Sequence, residues 1–189
     1  MIISDLSKKF GKKVILQNFS LNTDNNGIIA IWGESGKGKT TLLRMIAGLD
    51  KKYTGKIDLE GKNKIAYVFQ EPRLLNNLTA LENAALPLGN TKEAAQLAEI
   101  WLKKMGLEND LHTYPEEMSG GMKQRVSLAR ALAYEGDILL LDEPFNGIDP
   151  ERTKAIMDIL IDYSKDRLCI VVTHNKEHID YLGCKTVNI

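Results

Sequence analysis

The sequence contains little cysteine and no long apolar run, and each absence excludes a class of protein. Two cysteines in 189 residues cannot form the disulfide framework of a small secreted domain. Cys169 lies in the apolar run at 168–172, so we expect a buried free thiol and a reducing compartment. No signal peptide is recognised, and no apolar run approaches the roughly 18 residues of a membrane-spanning helix. If the protein acts at a membrane, we expect a partner to hold it there.

The sequence also lacks an excess of either charge. Lys and Arg number 25, as do Asp and Glu, so the formal net charge is zero. A neutral chain has no broad basic field for nucleic acid or anionic lipid, and we expect no nucleic-acid partner. The length suits one sizeable α/β domain over residues 1–189, with a small lobe inserted in it.

A glycine-rich segment stands between an apolar run and a helical pattern. Residues 28–31 are apolar, Gly33–Thr40 matches G-x-x-x-x-G-K-[ST], and Leu42 begins a helical spacing that Gly48 ends. Glycines let backbone N–H groups surround a phosphate, and the helix start adds its positive dipole end. Both flanks fit, which argues against the alternative of an ordinary Gly/Ser-rich turn. The segment therefore predicts a nucleoside triphosphate site.

Within this segment, nine residues are predicted to contact the nucleotide. They are Gly33, Glu34, Ser35, Gly36, Lys37, Gly38, Lys39, Thr40 and Thr41. We expect Lys39 to be exposed in the loop and to reach the β- and γ-phosphates, with a catalytic role. The hydroxyl of Thr40 is expected to bind Mg²⁺.

Two acidic residues end a second apolar run. Residues 138–141 are followed by Asp142 and Glu143, at the end of a strand where an α/β sheet opens onto its ligand crevice. Asp142 is placed to hold Mg²⁺ through water, and Glu143 to act as the general base that polarises the attacking water. The alternative is a solvated acidic turn before Pro144, which the neighbouring phosphate loop makes less attractive.

A third segment places Ser119, Gly120 and Gly121 at a predicted helix start. N–H groups and a helix dipole there could bind a second anion. By itself this triplet is a weak signal, because most such triplets are caps or turns.

The remaining pattern predicts an α/β fold. Strands are expected at about Met1–Leu6 and Val14–Phe19, joined by a turn from Lys8 to Lys12. Further strands are expected at 53–61, 65–69, 138–141, 168–173 and 185–189. A helix is expected from Ser119 to about Tyr134, ended by Gly136. Strands that alternate with helices after residue 27 predict a parallel sheet, and the first hairpin predicts an antiparallel edge.

Taken in order, these motifs resemble the ATPase subunit of ATP-binding cassette (ABC) transporters, from about Phe10 to His174. The remaining correspondences are Gln70 for the Q-loop, Ser119–Met122 for the signature, Phe145–Asp149 for the D-loop and His174 for the switch histidine. The resemblance implies a P-loop NTPase core with a mainly parallel sheet, an N-terminal antiparallel β subdomain and an inserted helical subdomain at about 72–135. It also implies ATP and Mg²⁺ as ligands.

The resemblance further implies roles for single residues. Phe10 would stack on adenine, although a core aromatic at a hairpin is the alternative. Gln70 would bind nucleotide and metal, and His174 would contact the γ-phosphate. Residues Ser119, Gly120, Gly121 and Met122 would cover the γ-phosphate bound by a second subunit. His112 and His178 are expected to be surface residues.

Three departures from the commonest pattern qualify the resemblance. Met122 replaces the usual glutamine of the signature, Asn146-Gly147 stands where small residues are usual, and the chain ends at Ile189. The variant S-G-G-M-K-Q-R is similar to the nitrate/sulfonate/taurine importer branch. The resemblance implies that the partners of this protein are a second ATPase subunit, transmembrane permease subunits and a separate substrate-binding protein. The permease subunits would hold the protein on the cytoplasmic face of a membrane.

Two rival functions remain at this point. A soluble, non-transport cassette protein would usually carry two cassettes, coiled coils or basic arms, and this neutral single cassette shows none. A small-molecule kinase would leave the segment Ser119–Met122 unexplained.

Overall fold

The computed structural model describes residues 1–189, and its eight strands form two separate sheets. The first sheet is antiparallel and contains β1 (Ile2–Phe10), β2 (Lys13–Asn22) and β4 (Thr54–Asp58) in the order β2-β1-β4. It confirms the N-terminal antiparallel subdomain.

The first two strands are longer than the sequence indicated, and the predicted turn from Lys8 to Lys12 was wrong. Only Gly11 and Lys12 form the turn. Lys8 continues the strand because its ammonium is buried and donates to Asp50 and to the Lys52 carbonyl, each at 2.7 Å. From the sequence alone, Lys8 is typical of an exposed turn, because its partner Asp50 is 42 residues away in the chain.

The second sheet is parallel throughout and carries the predicted P-loop core. It contains five strands, in the order β5-β6-β7-β3-β8. Their bounds are β3 Gly27–Trp32, β5 Ile65–Val68, β6 Ile138–Asp142, β7 Leu168–Val172 and β8 Lys185–Asn188. Because the carboxyl ends of parallel strands meet at one edge, the segments that follow β3, β5, β6 and β7 lie together.

Two hydrophobic cores cover the two faces of this sheet, since successive side chains of a strand point to opposite faces. Ile138 and Leu140 of β6 belong to the core under the antiparallel sheet. Leu139 and Leu141 belong to the other core, which the helices cover. Burial on both faces explains why the middle strands read as continuous apolar runs. Cys169 lies in the second core and is a buried free thiol, as expected.

Six helices complete the fold. They are α1 Lys39–Ile46, α2 Ala80–Ala85, α3 Lys92–Lys104, α4 Gly120–Ala133, α5 Pro150–Tyr163 and α6 Lys176–Leu182. Sequence caps explain several of their starts. Thr79 and Glu82 form a capping box before α2, and Asp149 caps α5 ahead of Pro150.

Helix α4 has the predicted extent, with Tyr134 as its C-cap, but Gly136 does not provide the left-handed residue after it. It stops at Ala133, and Glu135 rather than Gly136 takes the positive φ, at 52°. Gly136 is needed for another reason, because a Cβ there would lie 2.8 Å from the backbone nitrogen of Ala66. The glycine permits close approach of the chain to β5.

Helices α2, α3 and α4 pack on one another between β5 and β6 in the chain. Small residues at Ala80, Ala84 and Ala98 allow this close packing, and Trp101 and Leu102 fill it. The division of the chain into one domain with a helical lobe at 72–135 stays a prediction. No helix of the structure has the length and apolar character needed to cross a membrane.

Candidate functional site

The phosphate loop links β3 to α1 and has the backbone that its glycines allow. Gly36 and Gly38 have φ of 80° and 99°, values that L side chains rarely adopt. Gly38 is the N-cap of α1, and the first turn of the helix carries no acidic residue. Unopposed N–H groups and the positive end of the helix dipole therefore face the loop, as an anion site requires.

Lys39 corrects one expectation. The side chain was expected to be exposed, but it is only 8% exposed. Its ammonium donates to the carbonyl oxygens of Gly33 at 2.7 Å and Glu34 at 2.9 Å. An ammonium has three donors, so one N–H remains for a phosphate oxygen. The loop thus holds Lys39 in place. The sequence motif does not predict this, because a motif does not show where the backbone carbonyl groups of the loop point.

Asp142 ends β6 opposite the start of α1. Its Oδ1 accepts a hydrogen bond from the Thr40 hydroxyl at 3.1 Å, and its Oδ2 lies 3.4 Å from the hydroxyl of Tyr67. Asp142 is 2% exposed. Burial raises the pKa of Asp142, the Thr40 hydrogen bond opposes that shift, and the charge of Glu143 adds to it. The structure therefore brings together the two residues predicted to hold Mg²⁺.

Glu143 follows Asp142 in a strained conformation. Its φ is 48°, in the left-handed region, and its N–H donates to the Val172 carbonyl at 2.9 Å. The side chain is 12% exposed, and its Oε1 lies 3.0 Å from Nδ1 of His174. The strained turn and the histidine together fix the direction of the carboxylate. Sequence reasoning placed both residues at the site but did not predict that they pair.

Gln70 follows β5 and joins the same site. It lines a cavity of about 220 Å³ together with the phosphate loop, Asp142 and Glu143. The full lining is Ile15, Ser35, Gly36, Gly38, Lys39, Thr40, Thr41, Gln70, Asp142, Glu143 and Val172. An adjoining cavity also contains Gln70, Glu143, Asn146 and His174. Residues from four strand ends thus converge, as the parallel sheet predicts.

Other predicted phosphate-loop residues are less involved in this cavity. Glu34 and Lys37 pair with each other at 3.6 Å on the exposed side of the loop. Gly33 contributes its carbonyl to Lys39. These residues shape the loop through their backbone.

The two remaining histidines differ in position. His112 is exposed, as expected. His178 was expected at the surface but is part-buried, with its ring edge-on to Phe145 at 4.9 Å and within 3.5 Å of the Thr173 hydroxyl. Burial lowers the pKa of His178. This position could not be predicted from the sequence, because Phe145 contacts the His178 ring from another element.

Phe10 lies at the end of β1, where it is 54% exposed. The ammonium of Lys8 lies 4.6 Å from the centre of its ring. An exposed aromatic face is available for stacking, which disfavours the alternative of a core aromatic. Contact with adenine stays a prediction.

The signature segment does not join the nucleotide cavity of its own chain. None of the residues 119–122 lines that cavity. Ser119 and Gly120 are exposed, and the Ser119 hydroxyl accepts from the Met122 N–H at 3.2 Å as the cap of α4. The Met122 side chain packs partly against the helix-covered core. Gly121 lies against the D-loop, because a Cβ there would overlap the carbonyl oxygen of Gly147.

A phosphate loop, a strand-end Asp-Glu pair and a histidine on neighbouring parallel strands define a P-loop nucleoside triphosphatase. The family described as "ABC transporter" matches residues 16–146. The chain therefore belongs to the ABC transporter family, and it is an ATP-binding ATPase of that family.

Individual relatives agree with this assignment. The chain is 38% identical over 182 residues to the aliphatic sulfonates import ATP-binding protein SsuB of Bacillus subtilis, across 91% of this chain and 71% of that protein. It is 36% identical over 198 residues to the macrolide export ATP-binding/permease protein MacB of Mannheimia succiniciproducens, across 92% of this chain and 31% of that protein. The 38% identity to SsuB confirms the resemblance to the sulfonate-importer branch.

A solved structure with the same fold is a dimeric ATP-binding cassette, MJ0796, in a post-hydrolysis state bound to ADP and Pi. It superposes with a TM-score of 0.83 at 31% identity, across 95% of this chain and 90% of that chain. The predicted ABC ATPase fold is therefore confirmed.

Proposed function

We propose that this protein is the ATP-hydrolysing subunit of an ABC importer, and that each of its active sites is shared between two copies. One observation carries the proposal. Six predicted site residues line the two adjoining cavities at one edge of the sheet, namely Lys39, Thr40, Gln70, Asp142, Glu143 and His174. The segment Ser119–Met122 lies outside these cavities. The start of α4 is a second helix start that could bind an anion, but it does not line the nucleotide cavity of its own chain. It would have a function if it bound the nucleotide held by a second copy.

The binding half of the site is assigned from its contacts. Backbone N–H groups of residues 33–41 and the free N–H of Lys39 hold the phosphates, and Phe10 stacks on adenine. The oxygen donors of Thr40, Asp142 and Gln70 are of the hard kind that Mg²⁺ prefers. No group of three or more His, Cys, Asp or Glu side chains could hold a metal by itself, so these donors would act together with phosphate oxygens. When bound, Mg²⁺ neutralises charge on the phosphates.

The chemical step is assigned to Glu143. Its carboxylate accepts a proton from the attacking water as general base. His174 holds that carboxylate through the 3.0 Å contact and is close enough to the same cavity to reach the γ-phosphate. Ser119, Gly120, Gly121 and the Met122 N–H of the second copy cover the γ-phosphate from the other side.

The helical lobe offers a surface for permease subunits. A groove of about 480 Å³ lies beside the part of the chain that follows Gln70, and Leu78, Leu81, Ala85, Leu86 and Ala95 line its apolar part. Leu86 is 50% exposed in this groove. We propose that a permease segment covers it and so holds the protein at the cytoplasmic face of the membrane. A separate substrate-binding protein would complete the importer.

Import is favoured over export by the sulfonate importer among the relatives. The match to the importer protein covers most of both chains. The exporter, in contrast, is named as a combined ATP-binding and permease protein, and the match covers only 31% of it. A soluble, non-transport ATPase has no feature of the structure in its favour.

A concentration series tests the shared site. Each copy alone holds an incomplete site, so the ATPase rate per molecule should rise with protein concentration. A rate that is independent of concentration, in a preparation shown to be monomeric, would contradict the proposal.

A fractionation experiment tests the permease surface. Leu86→Glu should move the protein from the membrane fraction to the soluble fraction when it is expressed with its permease. Ile100→Glu is the matched control, because Ile100 is 51% exposed on α3 and does not line the groove. Equal behaviour of the two variants would reject the groove as the docking site.

A further inference from the structure

Arg130 links the signature helix to the segment that follows Gln70. It lies in the last turn of α4. Its Nη2 donates to the Pro72 carbonyl at 2.8 Å, and its Nη1 donates to the Arg73 carbonyl at 3.0 Å. The planar guanidinium thus binds two successive carbonyl groups, each with a different nitrogen.

This arginine has no acidic partner. Burial lowers the pKa of the Arg130 guanidinium, and no neighbouring charge contributes to the shift. A part-buried cation that is paired only with two carbonyl dipoles and, at 3.4 Å, with the Ser127 hydroxyl recovers little of its desolvation cost. Overall stability is therefore a weak reason for its presence, and the position that it gives to residues 72 and 73 is a better one.

The segment that Arg130 holds is a strained turn. Arg73 has φ of 49°, a conformation that a non-glycine residue rarely adopts. Its guanidinium lies 4.0 Å from the centre of the Phe69 ring. The turn is therefore held on its backbone by α4 and on its side chain by the residue before Gln70.

The two ends of this link belong to different half-sites. Gln70 lines the nucleotide cavity with Asp142 and Glu143. Helix α4 begins at its cap Ser119, eleven positions before Arg130 and so roughly 16 Å along the helix axis. A helix is rigid over this length, so a shift at Arg130 moves Ser119 as well.

We propose that Arg130 is a positioning residue that couples nucleotide binding at Gln70 to the orientation of the signature helix. The inference rests on the shared site proposed above. When Gln70 moves toward bound nucleotide, the carbonyls of Pro72 and Arg73 move with it, and Arg130 carries α4 and Ser119 into place for the second copy. Without Arg130, each copy binds nucleotide normally but its signature helix responds less.

Arg125 provides a matched control on the same helix. Its Nη1 donates to the carbonyls of Met105 and Gly106, both at 2.8 Å. Arg125 therefore has the same chemistry as Arg130, a guanidinium bound to two successive carbonyls. Its partners lie at the end of α3, far along the chain from Gln70, so its loss should not uncouple the two half-sites.

The experiment measures dimer formation as ATP is added to Glu143→Gln protein, by light scattering, and the ATP Kd of the dilute monomer. Adding Arg130→Gln should raise the ATP concentration at half-maximal dimer roughly 5- to 150-fold, the usual span of coupling between sites. The monomer Kd should change by less than about twofold, and Arg125→Gln should leave both quantities within about twofold of the parent. Arg130→Lys should fall between Arg130→Gln and the parent.

Several results would overturn the inference. Equal shifts for Arg130→Gln and Arg125→Gln would show a general loss of lobe stability, and a monomer Kd that changes as much as dimerisation would place Arg130 in the nucleotide site. If Arg130→Gln does not fold, Arg130→Lys against Arg125→Lys decides in the same way. Failure of the Glu143→Gln parent to dimerise would reject the shared site itself, and with it the coupling.

Discussion

The nucleotide cavity and the signature helix are built in opposite ways. In the cavity, Lys39 and Asp142 are buried, and the side chains are bonded to neighbouring groups, as Lys39 to the loop carbonyls, Thr40 to Asp142 and His174 to Glu143. Ser119 and Gly120 are exposed, and Ser119 bonds only within its own cap. The nucleotide cavity is therefore preorganised inside the chain, whereas the signature residues, which we propose to be the second half of the site, face outward. Changes in the first half should act on binding and chemistry, and changes in the second on assembly.

The largest effect is expected from Glu143→Gln. The amide keeps the shape and an acceptor for His174 but cannot take a proton from water, so turnover should fall by roughly 10²- to 10⁴-fold. ATP affinity should stay near the wild-type value, because Lys39 and Asp142 are unchanged. Single-turnover kinetics and equilibrium binding measure the two effects separately. Turnover at the wild-type rate would show that Glu143 is not the base.

A smaller effect is expected from Lys39→Ala, on binding rather than on chemistry alone. A hydrogen bond to a charged group contributes about 1.5–3 kcal/mol, so the ATP Kd should rise roughly 10- to 100-fold by calorimetry. The buried ammonium also holds two loop carbonyls, and a slightly lower Tm should accompany the loss. An unchanged Kd would contradict the assignment of the phosphate loop.

The contact between the signature helix and the D-loop can be tested by the addition of a single methyl group. Gly121→Ala would overlap the Gly147 carbonyl, and overpacking of this kind costs about 1–3 kcal/mol of unfolding free energy. Gly120→Ala meets nothing within 4 Å and should leave stability equal or slightly higher, since alanine favours helices. Urea unfolding of the two variants measures the difference. Equal unfolding free energies for Gly121→Ala and Gly120→Ala would show that the D-loop backbone moves to accommodate the added methyl group at no cost.

The smallest effect is expected from Phe10→Ala. Loss of stacking contributes about 0.5–1.5 kcal/mol, so the ATP Kd should rise only a few-fold, and Phe10→Tyr should restore it. A similar loss of affinity for inorganic triphosphate, which has no base, would argue against stacking.

The sequence predicted most of the first half-site and little of the contact network around it. Gly33–Thr40, Asp142, Glu143 and His174 were found because each stands at the end of an apolar run, and parallel strands bring such ends together. The pairing of His174 with Glu143 and the contact of His178 with Phe145 depend on distances between separate elements, and the hydrogen bonds of Lys39 depend on where the carbonyl groups of its own loop point. Spacing along the chain carries no information on these distances.

The fold shows the same limit. The helix start at Ser119 could be predicted, because a cap is a local interaction. The length of the first hairpin could not, because buried Lys8 depends on Asp50, which is distant in the chain. The link through Arg130 was equally hidden, since its acceptors are backbone carbonyls.

The measurement that tests the shared site most directly is the molar mass of Glu143→Gln in ATP, compared with the same protein carrying Ser119→Arg. The chain has a mass of 21.1 kDa. We predict that Glu143→Gln doubles its mass in ATP and stays monomeric in ADP, because blocked hydrolysis traps the closed pair. Ser119→Arg should abolish the doubling while leaving the monomer's ATP Kd unchanged, since the added cation fills the anion site presented to the other copy. A Glu143→Gln protein that binds ATP and stays at 21.1 kDa, or a doubling that Ser119→Arg does not affect, would contradict the shared site.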